Sequence, residues 1–152
     1  MAERLSPRKL KALVGQELGL SDWLEMTQER IDAFAGVTED RQWIHVDRER
    51  AVRGPLHSTV AHGFLILSLL PRWLSAIPLF QTRFRMAVNY GLDRVRFVHP
   101  VRPGDRIRNR AVLRSVARKG FFRLLVKIEN TVEIEKADKP ALVAEFLVMF
   151  FL

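Results

Sequence analysis

From Val60 to Leu74 the sequence VAHGFLILSLLPRWL is apolar almost all round. That is the pattern of a helix buried in the middle of a fold, and Pro71 is placed to kink or end it. Downstream the pattern changes to strand-like stretches: Phe84–Pro100 with a break near Gly91, Asp105–Ala117, Phe121–Glu135 and Leu142–Leu152. Val126, Ile128, Val132 and Ile134, then Val143, Phe146 and Val148, supply β-forming residues. Gly104-Asp105, Lys119-Gly120 and Asp138-Lys139-Pro140 mark the turns between them. Upstream, Leu10, Leu13 and Val14 among basic residues predict one or two helical turns after Pro7, a peripheral helix within residues 1–14. Leu18, Leu20, Trp23, Leu24 and Met26 read as a first strand. Thr27 is a good N-cap, Glu29 suits the first turn, and Ile31, Phe34 and Ala35 repeat at helical spacing, so a helix of about three turns follows. It hands the chain to a polar loop, Thr38–Pro55. Strands crowded after one buried helix predict an α+β domain in which an antiparallel sheet wraps that helix. With 152 residues and no repeat or linker, residues 1–152 read as one domain.

Composition narrows the class. At 48% hydrophobic and 28% charged, the chain is of the soluble globular kind. The absence of cysteine excludes disulfides, thiolate zinc sites and thiol nucleophiles, and suits a cytoplasmic protein. The N-terminus has no apolar signal core, and the longest apolar runs are shorter than the about 20 residues a membrane helix needs, so membrane insertion is not expected. The net charge of +8 is compatible with a nucleic-acid surface, an anionic small molecule or an acidic partner. Arg94 and Arg96 alternate with Val95 and Phe97, and Arg106, Arg108 and Arg110 with Ile107, Asn109 and Ala111. That period of two describes either a solvated outer strand face or an anion-binding one. Basic residues interleaved with aromatics and paired Cys/His finger spacings are both missing, which speaks against a nucleic-acid module.

The candidate chemistry lies in Phe34–Leu70. Asp40 and His45 sit five residues apart in the polar segment, where a scaffold fixes groups that stay accessible. His62-Gly63 opens the apolar pattern. By spacing alone, Asp40 reads more readily as a turn or capping residue and His45 as an exposed or hydrogen-bonded loop residue than as catalytic groups. His62 is expected to be a buried, hydrogen-bonded histidine or a pocket wall. Ser58 and Thr59 read as helix caps, with no nucleophile elbow around them. Trp43, Phe64 and Trp73 read as core, and His57 and His99 show no metal-ligand spacing.

The runs FAGVTEDRQWIHVDRERA, VAHGFLILSLLP and NYGLDRVRFVHPVRPGDRIR resemble the MaoC-like hydratases, the (R)-specific enoyl-CoA hydratases, and within them the nodulation protein N branch. The resemblance runs from about Gly15 to Leu152. It implies a single hot-dog domain and places Asp40 and His45 on the two catalytic positions. Glu39 stands where that family commonly has Gly, Gln42 where it has Asn and Trp43 where it has Pro. The family's oxyanion donor, a backbone amide of a glycine at the start of the central helix, matches Gly63. The implied reaction is hydration of a trans-2-enoyl thioester of CoA or acyl carrier protein to the (R)-3-hydroxyacyl thioester, or the reverse dehydration. The dyad would activate one water, with no cofactor or metal. Such chemistry needs a base for the water, a proton source for Cα and donors for the charge on the thioester oxygen. Gln42 and Trp43 are candidates to line the substrate site, and Arg94, Arg96, Arg106 and Arg108 to meet the phosphates of CoA. A homodimer joined edge to edge is implied as well. A hot-dog acyl-CoA thioesterase and a non-catalytic acyl-thioester or anion-binding protein are the alternatives.

Overall fold

A computed structural model describes residues 6–152. The opening helix α1, Pro7–Ala12, is capped by Ser6, whose hydroxyl accepts from the Lys9 amide. The predicted first strand is two short pieces, β1 (Glu17–Leu20) and β2 (Leu24–Glu25). Then comes α2, Gln28–Thr38, started by the Thr27 side chain as expected. The polar segment after it is more ordered than a loop. It contains α3 (Trp43–Val46) and α4 (Arg48–Arg53), the latter capped by Asp47. Helices this short escape a period count because each spans too few residues to repeat an apolar position.

The apolar stretch is also divided. Val60 and Ala61 lie outside the helix, their amides donating to the carbonyls of Ile44 and Val101. Helix α5 begins only at Gly63 and runs to Ser68, and α6 spans Leu70–Ser75 with Pro71 in its first turn. Proline is tolerated there because the first-turn amides have no intrahelical acceptor. The break at Leu69 is thus the predicted kink. Ser58 and Thr59 do not cap this helix. The Ser58 hydroxyl donates to the Thr59 carbonyl, and the Thr59 hydroxyl to Gln28.

Four long strands complete the fold: β3 (Met86–Phe97), β4 (Arg106–Arg118), β5 (Arg123–Ile134) and β6 (Leu142–Phe151). The antiparallel sheet has the order β1-β4-β5-β6-β3, with β2 also on β4. The break foreseen near Gly91 is a register shift between Asn89 and Gly91 on β3, a bulge in an edge strand. On the inner face Ile107, Ala111, Leu113, Leu124, Ile128, Phe146 and Phe150 pack against Ile66, Leu70, Trp73 and Leu74 of the central helices. Alternate residues of β4 and β5 face outward, where Arg108 and Arg110 share Glu133, Arg106 pairs with Glu135, and Arg114 with Glu129. The result is a six-stranded sheet with helices on one face, the α+β arrangement expected.

Candidate active site

Three elements bring the site together. Helix α2 ends with Glu39 in the left-handed conformation, φ 63°, which turns the chain sharply into Asp40. A left-handed residue is favourable mainly for glycine, and this is the position where Glu39 replaces the family's glycine. The Asp40 side chain stays exposed, at 55%, and one carboxylate oxygen accepts from the Gln42 amide at 3.5 Å.

His45, on α3, is only 7% exposed. Its Nδ1 lies 2.7 Å from the Val60 carbonyl oxygen, which accepts only a hydrogen bond, so the proton sits on Nδ1 and the Nε2 lone pair is free. Burial pushes the imidazole below its ordinary pKa, and the neighbouring His62 adds to this. The Val60 carbonyl and Asp40 act in the opposite direction. His45 is therefore neutral and basic at neutral pH.

Two groups that hold His45 lie outside the predicted site. Gln28, buried in the first turn of α2, donates through Nε2 to the His45 carbonyl at 2.7 Å and to Asp32 at 2.8 Å, and its Oε1 accepts the Thr59 hydroxyl at 2.5 Å. One amide thus ties α2, α3 and the strand-like segment before α5. In the sequence its only signal is a polar residue on the side of α2 that carries Ile31 and Ala35.

His62 is the second. It is 3% exposed, and its ring stacks on His45 with centroids 3.7 Å apart and planes at 22°. Its Nε2 donates to the Asp40 carbonyl at 2.9 Å, which leaves Nδ1 buried without a partner among the described residues. The expectation of a buried, hydrogen-bonded histidine holds, and the ring touches both Asp40 and His45.

One oxygen of Asp40 and one nitrogen each of His45 and His62 lie within 4.8 Å of one another. A metal ion fits this trio poorly. The stacked rings confine their in-plane lone pairs to nearly parallel planes, and one nitrogen of each is already bonded to a carbonyl. A water suits it better, since two hydrogen bonds of about 2.8 Å bridge such a gap.

Gly63 starts α5 directly after His62. Among the described residues, the Gly63 and Phe64 amides find no acceptor, as befits first-turn N–H groups. A Cβ on Gly63 would lie 2.8 Å from the Phe97 ring, so the aromatic side chain is one steric reason for glycine. Beyond it a mainly apolar groove of about 390 Å³ runs along α5 and α6 under β3, past Phe64, Leu67, Pro71, Tyr90, Leu92 and Phe146.

The remaining sequence candidates are spread out. Gln42 is exposed and makes no capping bond to α3. Trp43 is half-buried, its ring between Gly54 and the Arg50 guanidinium, 4.5 Å above it. Arg106 and Arg108 lie on the outer face, ion-paired and near the Trp23 ring, with Arg108 at 4.4 Å. Arg94 and Arg96 on β3 are exposed and have no ion-pair partner among the described residues.

Known proteins are similar to this chain over most of its length. The MaoC like domain covers residues 9–137. Nodulation protein N of Rhizobium leguminosarum bv. viciae is 46% identical over 145 residues, 94% of this chain and 89% of that protein. The 3-hydroxyacyl-thioester dehydratase Z of Mycobacterium tuberculosis (strain ATCC 25618 / H37Rv) is 44% identical over 141 residues, 93% of each. Among solved structures, the (R)-hydratase from A. caviae involved in PHA biosynthesis superposes with a TM-score of 0.72 at 20% identity, over 89% of this chain and 94% of that one. The matched domain, the two long alignments and the shared architecture agree, and the chain belongs to the MaoC-like dehydratase family of the hot-dog fold.

Proposed function

We propose that the protein hydrates trans-2-enoyl thioesters to (R)-3-hydroxyacyl thioesters, or catalyses the reverse dehydration, with Asp40 and His45 activating the water. The observation that carries this reading is the approach of an exposed carboxylate to a buried, neutral imidazole beside the free amides of α5. The bound water directs one hydrogen to the carboxylate and the other to His45 Nε2. Its oxygen adds to Cβ, the π electrons move toward the carbonyl, and the negative charge gathers on the thioester oxygen. The Gly63 amide meets that oxygen at the positive end of a helix. The proton taken from the water returns to Cα on the same face, so atoms and charge balance without a cofactor.

The acyl chain follows the groove under β3, and Arg94 and Arg96 are the better placed of the four arginines for CoA phosphates, because carboxylates already occupy Arg106 and Arg108. Strand β3 is an edge whose Val88, Tyr90 and Leu92 are exposed, which supports a homodimer paired along this strand. Light scattering should then give twice the chain mass.

The test is loss of enoyl absorbance with crotonyl-CoA and a longer enoyl-CoA, beside a free-thiol assay. Asp40→Asn and His45→Gln should each lower hydration by roughly 10³ or more, and the double variant should be little worse, since the two act on one water. A folded Asp40→Asn protein at near wild-type rate would overturn the dyad. Thiol release from saturated acyl-CoA would favour a thioesterase, and tight binding without turnover a binding protein.

A further inference from the structure

The β4–β5 hairpin ends in a feature the catalytic reading does not use. Between Arg118 and Arg123 the turn is Lys119-Gly120-Phe121-Phe122, and the two rings are 83% and 70% exposed, with centroids 6.5 Å apart. Tight turns ordinarily carry small polar residues, and two adjacent bare phenylalanines are an apolar surface that calls for a partner. The rings are also held. Gly120 takes φ 73°, Lys119 N–H donates to the Arg123 carbonyl at 2.9 Å, and Leu152 N–H donates to the Phe122 carbonyl at 2.9 Å. The Arg118 guanidinium donates to the carbonyls of Gly120 and Phe121 at 3.2 and 2.9 Å, bracing the turn with its positive charge beside the rings.

The charged side chains around it have one sign. The sequence has no Asp or Glu between Asp105 and Glu129 or between Glu49 and Asp93, and none from Phe146 to Leu152. Those are the segments that meet at this end of the sheet. Arg123 pairs in register with Phe151, Phe151 with Met86, and the Arg85 amide donates to the Phe151 carbonyl. Arg85, Arg118, Lys119 and Arg123 therefore gather around Phe121, Phe122 and the half-exposed Met86, and none has a carboxylate partner among the described residues. Farther along β4 and β5, Arg114 and Lys127 are neutralised by acids.

We propose that this tip is a docking surface for an anionic lipid bilayer, on which the protein adsorbs without spanning it. Protruding rings among unpaired cations match the two layers of such a surface. Aromatic side chains settle at the headgroup and acyl boundary while Lys and Arg meet the lipid phosphates. A second copy of the chain is the less suitable occupant. The tip belongs to the central strands, with β6 between it and the β3 edge, and its charged side chains are all basic, so two tips repel.

The experiment is vesicle co-sedimentation of the full chain with phosphatidylcholine alone and with added phosphatidylglycerol, at low and moderate salt. Binding is expected only with phosphatidylglycerol, and it weakens as salt screens the charges. Phe121→Ser/Phe122→Ser should lower partitioning by on the order of tenfold or more with unchanged circular dichroism, and Lys119→Gln and Arg123→Gln by about fivefold each. Phe122→Trp should report a blue-shifted emission on anionic vesicles only. Three outcomes overturn the proposal: no binding to anionic vesicles, even where a soluble polyglutamate is bound; binding that the serine pair leaves unchanged; or a fall in dimer mass caused by that pair, which would make the tip a contact between copies.

Discussion

Gln28 offers a sharp test of how the fold holds the site, because one buried amide supports His45 from a distance of 17 residues in sequence. Gln28→Leu keeps most of the side-chain volume and removes all three hydrogen bonds. Asp32 is exposed and regains water, so its loss is minor. The His45 carbonyl and the buried Thr59 hydroxyl are left unpaired, and each orphaned buried group costs about 1–3 kcal/mol. A total of about 2–6 kcal/mol is expected, which at this chain length lowers Tm by roughly 4–24 °C. With its carbonyl untethered, His45 shifts relative to the water it is proposed to polarise, and misplacement of a positioned group slows a chemical step. Enoyl-CoA hydration should fall on the order of tenfold in kcat. Thermal melting of Gln28→Leu, Thr59→Val and the double variant completes the cycle. Thr59→Val removes the hydroxyl that Gln28→Leu would orphan, so the two should couple by about 1 kcal/mol or more. A Gln28→Leu protein melting within about 2 °C of wild type, or fully additive variants, would refute the tether.

Three further outcomes follow from the same geometry. The folded pKa of His45 lies below its ordinary value of 6.5, so the unfolded chain binds the proton first on acidification. This contribution to stability is present above about pH 6.5 and is lost as pH falls toward the folded pKa; wild-type Tm should drop between pH 7.5 and 5.5 by more than that of His45→Gln, and equal drops would contradict the sign. Glu39→Gly relieves the left-handed residue and should raise stability by about 1 kcal/mol in urea melts, with hydration retained; a loss of stability would show that Glu39 is not strained. Gly63→Val should cut kcat by about 10² if the Gly63 amide serves the thioester oxygen, and adding Phe97→Ala should restore stability without restoring kcat. Recovery of both would assign the glycine to packing alone.

The sequence by itself carried the parts of this protein that repeat with a period or rest on one residue type. The four long strands were legible because β-forming residues recur through each of them between turn signals, and the bulge near Gly91 because glycine interrupts one of them. Thr27 was legible as a cap through its own side-chain chemistry, and Pro71 as a kink through its missing amide proton. Asp40 and His45 stood out through the family pattern, whereas spacing alone left each an ordinary loop residue. Tertiary structure decided the rest. Whether Val60 and Ala61 continue the helix depends on the amide partners they find in Ile44 and Val101, which no local preference encodes. That Arg106 and Arg108 face Glu135 and Glu133 depends on the register between β4 and β5. Gln28 and His62 acquire their places beside His45 only when segments 17 residues apart on either side of it are folded together, because a hydrogen bond or a stacked ring is a property of a pair in space.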